Sequence, residues 1–272
     1  MVNKETVRIY YTLRIAVAMC FIGHGAFGII TKPVWYNYFA VFGIGHDIAK
    51  SLMPIVGSMD IFLGILMIIF PVRIIPLWLI FWGAVTASLR PMSGEPFAEF
   101  IERAGNFGAP LALLVVTGGF PKTFRELFNK IDAPVELTER NWMQLTSCLK
   151  AVIFLLLVGH GWLNLIEKKS LISQYNSVGI GNADGAAFIV GMIEMIAAVS
   201  VLIRPVRPLL FALFIWKMGS ELFYPKYELF EWIERGGSYG TLLALWFATA
   251  YQPELNPGKI RWSFLQTPRW EN

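Results

Sequence analysis

Long apolar runs recur along this chain, and they restrict what it can fold into more than any other feature. Ile9 to Ile30 is the first, and comparable runs follow as far as residue 250. Each has about 18 to 24 residues, enough at about 1.5 Å per residue to cross a hydrocarbon core of roughly 30 Å as a helix. The alternation that a spanning strand needs is absent. Of the 272 residues, 56% are hydrophobic and only 15% charged, and the mean hydropathy is +0.54, too apolar a balance for a chain dissolved in water. The expected class is an all-α integral membrane protein, with the lipid bilayer as its first partner. The first run follows a basic N-region but has no small-residue cleavage site, so it is expected to belong to the mature protein.

The sequence also reads as one unit written twice. Gly23-His24-Gly25 and Gly159-His160-Gly161 stand 136 residues apart, as do the Gly-Ile-Gly triplets at 43–45 and 179–181. Asp60 matches Glu194, Pro71-Val72-Arg73 matches Pro205-Val206-Arg207 and Trp82 matches Trp216, all at an offset of 134, and "FIERAGNFG" matches "WIERGGSYG" at 132. Small loop deletions between diverged copies account for the shrinking offset. Candidate spans fall at 9–31, 51–70, 74–91 and 101–119, then at 146–166, 186–203, 208–224 and 231–250. That predicts about eight transmembrane helices arranged as two parallel-repeat four-helix bundles, because an even number of spans gives both copies one orientation. The first module covers 1–119, an amphipathic cytoplasmic linker 120–145, the second module 146–250 and a cytoplasmic interfacial tail 251–272.

Basic residues such as Lys4, Arg8, Arg73, Lys122, Arg125 and Arg204 concentrate in the segments on the side of the N-terminus, while the other loops mix a few lysines with acids. The positive-inside rule then puts both termini in the cytoplasm of a bacterial or archaeal membrane. In the linker, Phe120, Phe124, Phe128 and Ile131 recur at helical spacing, the pattern of a helix lying on the membrane surface. The tail reads equally as an interfacial anchor or a partner-docking segment. The aromatic loop "TKPVWYNYFAVFGIGHD" suits either the outer interface or a return into the protein. The basic residues form no extended stripe, which excludes nucleic acid as a partner.

Within each copy the order is a basic residue early in the first helix (Arg14, Lys150), the Gly-His-Gly step, a basic residue soon after (Lys32, Lys168), a Gly followed three residues later by an acid, and an Arg before the third helix. This pattern resembles the DoxX/DoxD-like family of small four-helix membrane proteins, and the resemblance covers both halves. It implies a fusion of two such modules and a redox association, including quinone-linked subunits of oxidoreductase complexes, with a protein partner or a second copy. The duplication and the Glu-Arg-x-Gly at the start of each last helix depart from the family pattern.

Charged side chains in a spanning helix cost about 2.5 to 3.5 kcal/mol each on insertion scales, so each needs a partner or a function. The duplicated polar residues are His24, Asp60, Glu102 and Arg103 in the first copy, and His160, Glu194, Glu234 and Arg235 in the second. Counting the rise per residue lets each set meet within its own bundle, giving two separate clusters, each with a histidine, an acid and a Glu-Arg pair. Flanking glycines let a helix or a flat ligand approach beside the imidazole. A network that merely fixes helix register accounts for the same residues.

Three functional readings stand beside that structural one. In the first, His24 or His160 hydrogen-bonds a quinone or another redox carrier while Asp60 or Glu194 exchanges the proton, with Glu102, Arg103, Glu234, Arg235, Lys217 and Glu221 around the ligand. The second is a non-enzymatic membrane subunit that anchors or assembles a larger complex. The third is a small-solute transporter, disfavoured by the lack of any broken-helix signature. Haem on His24 and His160 is disfavoured because nothing makes the two face each other, and no metal is expected. His46, replaced by Asn182 in the second copy, reads as a loop residue, and Cys20 and Cys148 as buried apolar residues. Lys217 and Glu221 have only Gly83 and Ala87 as counterparts, which points to the second copy as the functional one unless Glu221 is solvated and Lys217 snorkels.

Overall fold

A computed structural model describes residues 2–131 and 133–250; the interfacial tail expected at 251–272 lies outside the described residues. The chain is all-helical there. The first half holds α1 (Lys4–Ile29), α2 (Trp35–Ala40), α3 (His46–Ile69), α4 (Ile74–Met92), α5 (Ala98–Glu102) and α6 (Ala104–Val116). The second holds α7 (Glu139–Leu165), α8 (Lys169–Ser177), α9 (Ala183–Ile203), α10 (Arg207–Ser220), α11 (Glu228–Glu234) and α12 (Gly236–Ala248). Five of these, α1, α3, α4, α7 and α9, are long and apolar enough to cross a membrane.

The expected spans 101–119 and 231–250 are not single helices. Each is interrupted at its arginine, Arg103 (φ −89°, ψ 16°) and Arg235 (φ −79°, ψ 7°), a sparsely populated backbone region that tightens the turn. The interruption corrects the expectation of unbroken helices. The span expected at 208–224 is likewise shorter: α10 stops at Ser220 and continues as one 3-10 turn, Glu221–Phe223.

Helices from both halves share one core. α1 packs against α6 and α12, α7 packs against the same two, and α6 crosses α12; α3, α4, α9 and α10 lie outside, on α1, α6, α7 and α12 respectively. One apolar cluster accordingly joins Leu13, Phe21, Leu113, Ile153, Leu242 and Leu245. The outward faces of α3 and α9 expose Ile55, Phe62, Ile69, Ile189, Ile196 and Ile203, a surface suited to lipid rather than water. Two self-contained bundles would not place helices of both halves in a common core.

The motif residues near the helix ends are scaffold. Arg14 donates to the carbonyls of Met67 at 2.8 Å and Ile68 at 2.5 Å, and Lys150 reaches the Ile203 carbonyl at 3.4 Å, so Arg14 caps the end of α3 and Lys150 that of α9. Arg73 donates to the carbonyls of Thr117, at 2.7 Å, and Gly119, closing the end of α6. The linker forms only one 3-10 turn, Phe124–Phe128, in place of the expected surface helix. Ile131 beyond it is buried and its carbonyl accepts from Tyr10 at 2.7 Å, and α7 begins already at Glu139, capped by Thr138. Docking onto α1 and the Val72–Lys130 bridge hold this segment extended against its helical periodicity.

The α6–α12 crossing depends on two glycines. A Cβ on Gly105 would lie 2.8 Å from the Gly237 carbonyl carbon, and one on Gly237 would lie 2.5 Å from the Gly105 carbonyl oxygen, closer than atoms pack. Gly105→Val is therefore expected to lower stability by about 1 to 3 kcal/mol through overpacking, read as a drop in the thermal unfolding midpoint in detergent. Gly219→Ala, with nothing within 4 Å of its Cβ position, should leave the midpoint in place. Equal midpoints for the two variants would refute the close crossing.

Candidate functional site

Each histidine sits where three helices meet, and its flanking glycines create the meeting point. A Cβ on Gly25 would lie 2.5 Å from the Gly57 carbonyl oxygen, and a Cβ on Gly161 would lie 3.0 Å from that of Gly191, so the second glycine of each motif admits α3 or α9. The first glycine admits a segment from the other half: a Cβ on Gly23 would collide with the backbone of Glu234, and one on Gly159 with the backbone of Glu102. Only a hydrogen side chain permits both approaches at once.

The second-helix acids lie where the sequence predicts. His24 Nδ1 is 2.7 Å from Asp60 Oδ2, and His160 Nδ1 is 2.5 Å from Glu194 Oε2. The indole of Trp82 donates to Asp60 at 3.4 Å, and that of Trp216 to Glu194 at 3.2 Å. The glutamates of the two Glu-Arg pairs, however, are exchanged between the halves. Glu234 lies beside His24 and Glu102 beside His160, while Arg103 stays in the wall with His24, which corrects the expectation that each histidine keeps the glutamate of its own copy. Spacing along one copy cannot reveal this, because the exchange follows from α1 and α7 each packing on the last helix of the opposite half.

Glu102 and both arginines meet in a buried ionic network. Glu102 accepts from Arg103 at 3.0 Å and from Arg235 at 2.7 Å. Arg103 also donates to Glu99 at 2.6 Å, and Glu99, fully buried, accepts from Arg90 at 3.2 Å and from Lys168 across the halves. Lys32 pairs reciprocally with Glu231. Lys217 and Glu221 are both buried, 3.5 Å apart, with Arg235 at 3.9 Å from Glu221; neither is solvated or snorkelling. Unpaired, any of these charges would be prohibitive in a low-dielectric interior.

An open cavity lies in the first half, not beside Lys217. Its volume is about 240 Å³, with His24, Trp35, Trp82, Arg103, Asn106 and Glu234 among its lining residues. That is below the roughly 300 Å³ lower bound for sites of drug-sized ligands, a size for a single ring. The α2 segment roofs it: Trp35 and Tyr38 are buried, the Trp35 ring lies 4.7 Å from that of His24, and Tyr38 donates to Glu95 at 2.6 Å. The aromatic loop thus turns back into the protein. Burial pushes the Tyr38 phenol up, so it stays a donor. A smaller hollow beside Gly83 and Cys20 borders the same His24, Trp82 and Asn106.

In the second half His160 is only 4% exposed, and Asn164, held by Tyr175 at 2.8 Å, closes over it with a bond of 3.1 Å to its carbonyl. Lys217 and Glu221 stand at positions matched in the first half by Gly83 and Ala87, where Gly83 packs on the Asn106 backbone, a Cβ there lying 3.1 Å from the Asn106 carbonyl oxygen, and Ala87 is buried. His46 stacks on Tyr36, ring centroids 3.8 Å apart, and takes no part in the cavity. Arg90 and Asn106 line the cavity without having been candidates. Arg90 differs between the copies, a usable signal, whereas an uncharged Asn106 carries none. Among the described residues no cluster of three or more His, Cys, Asp or Glu side chains is arranged to hold a metal.

No family model, curated protein or solved structure matches this chain.

Lys217→Met alone leaves Glu221 short of a cation and is expected to cost about 3 to 5 kcal/mol. The double variant Lys217→Met with Glu221→Gln should recover much of that loss. Unfolding in mixed detergent measures both; additive losses would show that the two side chains do not form a pair.

Proposed function

We propose that this protein binds a quinone-class ring as a membrane subunit of an oxidoreductase complex, receiving or passing electrons through a partner subunit. In this reading the chain makes eight passes as two parallel DoxX-like repeats, with both termini in the cytoplasm of a bacterial or archaeal membrane. The observation that carries it is a carboxylate-backed histidine, His24 on Asp60 at 2.7 Å, in the wall of an aromatic cavity sized for one ring. With Nδ1 turned to Asp60, the imidazole offers Nε2 to a ring oxygen, and the carboxylate stabilises the imidazolium that forms if the proton moves inward. Trp35, Trp82 and Phe27 supply the flat apolar walls that an aromatic ring stacks on, in offset or edge contact. The matching contacts of Gly105 with Gly237, and of Gly25 and Gly161 with their second helices, support the two-repeat reading.

The two histidines then have different tasks. His24→Gln should weaken binding of a short-chain benzoquinone at least tenfold, measured by quenching of tryptophan fluorescence. His160→Gln should lower the midpoint while affinity stays within about twofold, because its partner Glu194 is left buried without a cation. Loss of binding in His160→Gln with retention in His24→Gln would place the site in the second half instead.

Interruption of two helices at charged residues favours a second reading, transport of a small solute, since discontinuous helices build many carrier sites. A carrier exposes its site to both sides. Thr86→Cys in sealed vesicles should then react with a membrane-impermeant thiol reagent added on either face; labelling from one face only supports the ring-binding subunit.

A further inference from the structure

The hydrogen-bonding inventory of the cavity wall indicates which form of a ring it takes, on the premise that the cavity is the ring site proposed above. Most neutral donors around it are already used. His24 Nδ1 is turned to Asp60 at 2.7 Å, and the Trp82 indole donates to the same carboxylate at 3.4 Å. The Tyr38 hydroxyl donates to Glu95 at 2.6 Å, and the Thr86 hydroxyl to the Trp82 carbonyl at 3.0 Å. Two cations of the wall, Lys32 and Arg90, are held by Glu231 and by Glu95 and Glu99.

Acceptors remain. Glu234 is 3% exposed and lines the cavity, and no hydrogen bond or ion pair engages its carboxylate among the described residues. Asn106, 5% exposed, has a buried Oδ1 without a partner. His24 adds Nε2, an acceptor in the neutral ring whose proton sits on Nδ1. Against these stand the Trp35 indole, the Asn106 side-chain N–H groups and one buried cationic donor without a partner, Arg103 Nε. A quinone carbonyl can only accept, so it could answer Arg103 or the Asn106 amide but would leave the Glu234 carboxylate facing another acceptor, and an unsatisfied buried polar group costs more than an average bond gains. A ring hydroxyl both donates and accepts, and so answers both sides of the wall.

We infer that the cavity binds the reduced, hydroxyl-bearing form of its ring and that Glu234, contributed by the second half of the chain, accepts the hydrogen bond of the ring hydroxyl. The hydroxyl oxygen in turn accepts from the Arg103 guanidinium, so one ring group answers a charged acceptor and a charged donor and no covalent bond is made or broken. His24, backed by Asp60, accepts from a second hydroxyl through Nε2 where the ring carries one. The close seat of Glu234 against Gly23 is what brings an acid of one half to the histidine of the other.

The test compares three forms of one short-chain ring on the unaltered full-length protein in detergent, without oxygen: the benzoquinone, its two-electron-reduced hydroquinone, and the hydroquinone dimethyl ether. The hydroquinone should bind at least tenfold more tightly than either of the others, and Glu234→Gln should reduce that preference to about twofold or less. Equal or tighter binding of the quinone, or of the dimethyl ether, would overturn the inference while leaving the cavity a ring site. Binding of none of the three would overturn the ring-site reading and the inference with it. The three-ligand comparison decides the matter without any variant, so a Glu234→Gln protein that fails to fold does not weaken it.

Discussion

Glu102 accepts from Arg103 of its own half and Arg235 of the other, and the rest of the interior is arranged around that shared carboxylate. In a medium where an isolated buried charge costs several kcal/mol even after relaxation, neither half can bury its Glu-Arg step alone. Arg103 is completed by Glu99, Glu99 by Lys168 from across the molecule, and Lys32 by Glu231 in return. Pulling the halves apart would strand charges of both signs on each side. Electrostatics thus joins the two halves into one folding unit, while the apolar cluster common to α1, α6, α7 and α12 supplies the burial that keeps water from the network.

The glycines make this geometry attainable. Gly23 and Gly159 let the charged ends of α11 and α5 lie directly on α1 and α7, and Gly105 and Gly237 let α6 and α12 cross at backbone contact. Close packing and polar pairing hold these helices together, the two forces that act between helices where lipid replaces water. The Gly-His-Gly step is thus a three-way junction with an imidazole at its centre. The two imidazoles differ in surroundings: His24 lines an open cavity, whereas His160 is buried. The third helices differ too, since Lys217 and Glu221 form a buried pair in the second half and give Arg235 a further acidic neighbour.

The identity of the elements was legible in the residues: continuous apolar runs gave α1, α3, α4, α7 and α9, and the pairing of His24 with Asp60 and of His160 with Glu194 followed from counting along adjacent helices. Arg14, Lys150 and the second-helix glycines were visible as motifs because local contacts between neighbouring helices leave a repeated spacing. The interruptions at Arg103 and Arg235 left no Pro or Gly at the break itself, and the linker's helical periodicity was overridden by its docking on α1. Asn106 and the roof formed by Trp35 and Tyr38 had no periodic signal at all.

By itself the sequence determined that the chain is helical and apolar enough to suit a membrane, that its Gly-His-Gly and Glu-Arg steps each occur twice, and that each Gly-His-Gly histidine has an acid on the next long helix. Apolar length, self-similarity and nearest-neighbour spacing are properties of a linear chain. Only the tertiary structure decided that Glu234 serves His24 and Glu102 serves His160, and that the open cavity lies in the first half. Those outcomes depend on which surfaces of non-adjacent helices meet and on the volume left between them, quantities that appear only when all the helices are packed at once.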